Sequence, residues 1–97
     1  MSLTSDMKGL LRISASTTAF DTEIEDLIAA AQNDLILAGV LAAKAVDDTD
    51  PLIKRAVSSY VKANFGLDNP DAEKFQKSYD SLKAHLTLSQ EYTEGGA

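Results

Sequence analysis

The sequence predicts an all-α fold, a small bundle of three longer helices preceded by a short N-terminal one. Three observations carry this. Apolar residues recur at spacings of three and four across three long segments. Cap residues and prolines mark where helices begin, and glycines mark where they end. No segment sustains the alternation of a half-buried strand. The chain has 97 residues, so a single domain is expected. Its limits are set at 1–90, with 91–97 as a flexible C-terminal tail.

The clearest helix runs from Asp50 to Gly66. Asp50 is suited to cap it, Pro51 fits its first position, and Gly66 can end it. Ile53, Ala56, Val57, Tyr60 and Val61 fall on one face, and Lys54, Arg55, Ser58 and Lys62 on the other. Asn64 lies near the apolar stripe, where it either bonds a loop carbonyl or meets a neighbouring subunit.

Before this helix, Thr4 or Ser5 can cap a short segment through Leu10 and Leu11, with Met7, Leu10 and Leu11 sharing a face. Residues 13–20 read as a polar connection. The next helix begins around Asp21 to Glu25, where Thr22 and Glu25 have capping-box spacing. Ile24, Leu27, Ile28, Ala31, Leu35 and Ala38 form its stripe, and Gly39 closes it. Ile36 and Leu37 fall outside that stripe, so this end must be covered on a second side. Val40 to Thr49 is a connector in which Leu41-Ala42-Ala43 can add one helical turn. The acidic run Asp47-Asp48-Thr49-Asp50 lacks the alternating oxygen ligands and glycine turn of a calcium loop, and reads as a solvated loop.

After the central helix, Leu67 and Asp68 make a brief turn. Asn69-Pro70-Asp71 is expected to restart a helix by the same cap-then-proline device. Ala72, Phe75, Tyr79, Leu82 and Leu86 then follow at spacings of three and four. Two heptads are too few for a free coiled coil, so this helix is expected along the bundle. Residues 91–97 read as a mobile tail.

Composition narrows function. There are no cysteines, which removes disulfides and thiolate metal sites. No run approaches the roughly 20 apolar residues of a membrane span, and the first residues lack a signal-peptide pattern. The expectation is a soluble protein of the cytoplasm, with no membrane partner. The net charge is −6, and residues 1–50, with three basic and nine acidic side chains, carry all of it. A nucleic-acid binder normally presents a basic surface.

Chemistry-bearing motifs are absent. His85 is the one histidine. No nucleophile elbow or phosphate-cradling glycine loop occurs. Glu23, Glu25 and Asp26 cluster at a helix start, where acids suit the dipole. No catalytic, cofactor-binding or metal-ligating residue is assigned, and no enzyme is expected. Lys54, Arg55 and Lys62 form one basic group. Lys74, Lys77 and Lys83 form another, interleaved with Asp71, Glu73 and Asp80. Local ion pairs explain them simply, and docking to the acidic half of a second copy explains them as well.

Taken in order, several pieces resemble a known family. They are Leu10-Leu11-Arg12-Ile13, Phe20-Asp21 leading to Ile24 and Leu27-Ile28-Ala29-Ala30-Ala31, and Gly39. Then come Asp50-Pro51-Leu52 with Ala56-Val57, Tyr60-Val61 and Phe65-Gly66, and finally Ser78-Tyr79, Leu82, Leu86 and Leu88. Over residues 7–92 the chain resembles the small head–tail connector proteins of long-tailed bacteriophages and prophages, often described as DNA-packaging proteins. The resemblance implies a structural adaptor in the virion, made in the bacterial host cytoplasm. It implies a homo-oligomeric ring beneath the portal, matching the portal's symmetry, that extends the DNA channel and meets tail-completion proteins. DNA would pass without sequence-specific binding. The short tail after Leu88 implies a reduced portal-docking extension. Within that frame, Ile36, Leu37, Arg55 and Lys62 are the candidate subunit interface, and Glu23, Glu25 and Asp26 the candidate channel-facing acids. The alternative is a small helical DNA-binding or regulatory module using the basic side of the Asp50–Gly66 helix.

Overall fold

The computed structural model describes residues 3–12, 18–66 and 69–93; of those residues 76% are helical, the 3-10 turn included, and none is in a strand. The helices are α1 (Leu3–Leu10), α2 (Asp21–Ala38), α3 (Ala42–Ala45), α4 (Pro51–Asn64) and α5 (Ala72–Leu88), followed by a single 3-10 turn at Gln90–Tyr92. The expected three longer helices and one short one are present, with the one-turn α3 in the connector. The expected 13–17 connection, the Leu67-Asp68 turn and residues 94–97 of the tail lie outside the described residues.

Helix α4 is the hub. The Asp50 carboxylate accepts from Leu52 N at 2.9 Å and Ile53 N at 3.3 Å, so two orphan donors of the first turn are satisfied. Pro51 fills the position where no N–H is needed. Ile53, Ala56, Val57 and Val61 are fully buried, and Tyr60 is half-buried with its ring edge-on to Tyr79 at 5.1 Å. Ser59 is buried as well. Asn64 is exposed and donates to Tyr60 O on its own helix at 2.9 Å.

Helix α2 lays Ile24, Ile28, Ala31 and Leu35 onto α4, with Leu27 and Ile36 at the margin. The expected Ala38 contact is not made, because the chain turns away there and leaves it exposed. Gly39 adopts φ +120°, donates to Ile36 O at 3.0 Å, and lets Val40 donate to Leu35 O at 2.9 Å. That pairing satisfies the last carbonyls and buries Val40 beside Leu35.

The start of α2 differs from the capping-box expectation. The helix begins at Asp21, one residue before Thr22, and has no side-chain cap. Two tertiary contacts decide this. The Phe20 ring meets Phe65 edge-on at 5.6 Å, and the Asp21 carboxylate pairs with the buried Lys8 ammonium at 2.9 Å.

Helix α5 also starts later than expected, at Ala72. Asn69 closes a turn ahead of the helix and anchors it to α4. Its amide nitrogen donates to Lys62 O, tying the loop back to α4, and its oxygen accepts from Asp71 N at 3.1 Å. Tyr79 and Leu86 are buried, while Ala72, Phe75 and Leu82 are half-buried. Tyr79 also joins α5 to α2, since its hydroxyl donates to Asp34 at 2.6 Å and Lys83 pairs with the same oxygen at 3.0 Å. The Tyr79 hydroxyl holds the Asp34 carboxyl below its ordinary range, aided by Lys83. Burial, then Asp34, pushes the Tyr79 phenol up.

Tyr92, which composition puts in the tail, is part of the core and only 5% exposed. Its carbonyl accepts from Leu41 N at 2.8 Å, and its hydroxyl donates to Asp50 at 2.8 Å. Lys44 lies over its ring at 5.6 Å. The packing therefore extends past the expected limit at residue 90.

Candidate subunit interface

Two surfaces of this chain are under-used by its own fold. The first is built on α1. Met7 is buried, and Leu11 and Leu10 follow it at four and three residues. Leu11 is drawn against the core, whereas Leu10 stays 49% exposed. Leu11 N bonds Met7 O at 2.9 Å, and Arg12 ends the helix with φ +61°. Leu10 becomes a ridge between two grooves. One is lined by Asp6, Lys54, Arg55 and Ser58, the other by Arg12, Lys62, Phe65 and Phe75.

The charges around this ridge are unevenly engaged. Lys54 pairs with Asp6 at 3.0 Å, and Lys62 lies over the Phe75 ring at 5.4 Å. Arg12 and Arg55 are exposed, with no acceptor for their guanidinium groups among the described residues.

The second surface is the outer line of α2. Asp26, Ala29, Asn33 and Leu37 recur at spacings of three and four, and all are exposed. Leu37 is 87% exposed. The expected channel acids sit at the start of this helix but do not converge. At 100° per residue, Glu23 and Glu25 are about 160° apart. Glu23 accepts from Gly66 N at 3.2 Å, whereas Glu25 and Asp26 have no partner among the described residues.

The four expected interface residues are also divided. Ile36 is half-buried in a groove with Gly39, Leu41, Ala42 and Thr87, while Leu37, about 100° further round the helix, points to solvent. Arg55 and Lys62 share the outer side of α4, with Lys62 already on Phe75. Sequence reasoning missed Leu10 and Arg12. Spacing alone could not separate Leu10 from Leu11, and the signal for Arg12 was only its position after a helix end.

His85 is exposed on α5. Among the described residues, no three His, Cys, Asp or Glu side chains are grouped to hold a metal ion, and no helix is long and apolar enough to cross a membrane.

The arrangement is one of packing surfaces and free charges on a helical scaffold. No curated protein and no solved structure matches the chain. A family model described as phage connector protein matches residues 3–93, nearly the whole length, and the chain belongs to that family of structural phage proteins.

Proposed function

We propose that this chain is the repeating subunit of a head–tail connector ring in a tailed bacteriophage or prophage. It lies at the head–tail junction of the virion, below the portal protein and above the tail-completion proteins, with DNA passing through the ring. The observation that carries the reading is the family match over residues 3–93. Two features of the chain support it. Leu10 on α1 and Leu37 on α2 stay exposed, and the arginines and acids without partners among the described residues lie on different elements. A repeating subunit needs two such unlike faces.

Of the acids at the start of α2, Glu25, exposed and without a partner among the described residues, is the proposed source of negative potential toward the channel, which lets DNA slide without sticking. The DNA-binding alternative loses support from the side chains it would use. Lys54 is paired with Asp6 and Lys62 lies over Phe75, which leaves Arg55 as the one member of that basic group without a side-chain contact among the described residues.

The test is a titration of labelled duplex DNA with the isolated protein at two salt concentrations. A connector shows no saturable binding in the micromolar range. Tight binding, near the roughly 10⁻⁸ to 10⁻¹¹ M of specific modules, with a steep fall in salt would replace the connector by the regulatory module.

A further inference from the structure

The outer lines of α2 and α4 lie on opposite sides of the molecule. The two helices pack on each other through Ile24, Ile28 and Leu35 on one side and Ile53, Val57 and Val61 on the other. Each outer line therefore points away from its partner helix. The fold is only 18 Å across its shortest axis, so both faces are close at hand for neighbours on either side.

The two faces are unlike and complementary. The α2 face has Leu37 at one end, the free acid Asp26 at the other, and the short side chains of Ala29 and Asn33 between. The opposite face has Leu10 as a ridge, flanked by Arg12 and Arg55, whose guanidinium groups have no partner among the described residues; Asp6, paired with Lys54, and Asp71 lie in the same two grooves. Other cations of that region are taken: Lys54 by Asp6, Lys62 by Phe75, and Lys8 by Asp21. Charge complementarity of this kind selects register and partner. Small residues between the two ends of α2 allow a close approach.

We infer that the α2 face of one copy seats on the Leu10 ridge of the next. Leu37 packs against Leu10. Asp26, about 16 Å further along the helix, turns toward one of the flanking arginines. The contact joins two different surfaces, so it is head-to-tail, and repetition of it generates a closed ring or an open filament. In this assignment Asp26 belongs to the neighbour rather than to the channel, and Ile36 and Lys62 are not part of the contact. The inference rests on the ring reading and specifies which faces meet.

The experiment uses the full chain in three forms: unaltered, Leu10→Asp, and Leu37→Asp. Circular dichroism first establishes that all three keep the same helical signal. Mass is then followed by sedimentation over a concentration series. The unaltered chain assembles. Each variant has one spoiled face, and its association midpoint rises by about tenfold or more, the effect of losing one buried leucine. Mixed together, the two variants have one intact face each, so they form a 1:1 heterodimer that grows no further. Arg55→Glu, on an exposed side chain with no partner among the described residues, weakens assembly most at low salt.

If the unaltered chain assembles and both aspartate variants assemble like it, these faces are wrong while the ring reading stands. Monomeric variants that form no heterodimer on mixing also overturn the pairing. An unaltered chain that stays monomeric at every concentration overturns the ring reading, and the pairing with it.

Discussion

Replacing Asp50 with alanine strips two unrelated structures of one acceptor. The carboxylate caps α4 through Leu52 N and Ile53 N, and it receives the Tyr92 hydroxyl at 2.8 Å and 3.1 Å on its two oxygens. Loss of the cap costs about 1 kcal/mol. Tyr92 is buried, so its hydroxyl is left without an acceptor, at about 1–3 kcal/mol more. Asp50→Ala is therefore expected to cost about 2–4 kcal/mol in all. Tyr92→Phe removes the donor but leaves the cap, and costs about 1–1.5 kcal/mol. The double variant has no orphaned hydroxyl. Its loss falls short of the sum of the singles by about 1 kcal/mol or more. The assay is urea unfolding followed at 222 nm for the four proteins, with equal denaturant slopes as the check on two-state behaviour. If Asp50→Ala costs only the cap and the two changes add, the turn at Gln90–Tyr92 is not docked on α4 and the reasoning fails.

Three further outcomes follow from the same contacts. Asp21→Ala removes the 2.9 Å counter-charge of the buried Lys8; because Asp21 is one-third exposed, the expected loss is about 2–3 kcal/mol, below that of a fully buried pair, and unfolding curves measure it. Burial and then Asp50 push the Tyr92 phenol up to about 12. A raised pKa means its contribution is whole below the unfolded value near 10 and is lost as pH rises toward 12, so ultraviolet titration should show late-ionising tyrosine and unfolding in that window. Asp34 is depressed, chiefly by the Tyr79 hydroxyl. Its contribution is present above the ordinary carboxylate range and lost as pH falls below it, and Tyr79→Phe should flatten the acid limb of the stability profile.

The parts of the fold readable in sequence were those set by local chemistry. Asp50-Pro51 specifies the start of α4 because cap and proline act within one turn. Gly39 specifies the end of α2 because a residue with a Cβ resists φ +120°. Where a side chain had a distant competitor, local reading failed. The Asp21 carboxylate went to Lys8, and Asn69, tied to Lys62 O, closed a turn onto Asp71 N, so neither helix began where its cap residues suggested. Tyr92 sits beside a polar, glycine-rich end that conceals its anchoring to Asp50. Tyr60 and Leu82, read as core, are half-buried, and the deepest large side chains include Tyr79 and Val57. The same limit applied to the surface. Periodicity shows that Leu10 or Leu11 must pack, and only the placement of α1 on α4 shows which one is left for a partner.

The central claim is that this member of the phage connector protein family assembles with copies of itself. Mass in solution across a concentration series, followed by imaging of the largest species, tests it most directly. The account predicts growth to a closed ring of fixed subunit number with an open centre wide enough for duplex DNA. A chain that remains monomeric at every concentration, or forms only a compact dimer with no opening, would contradict it.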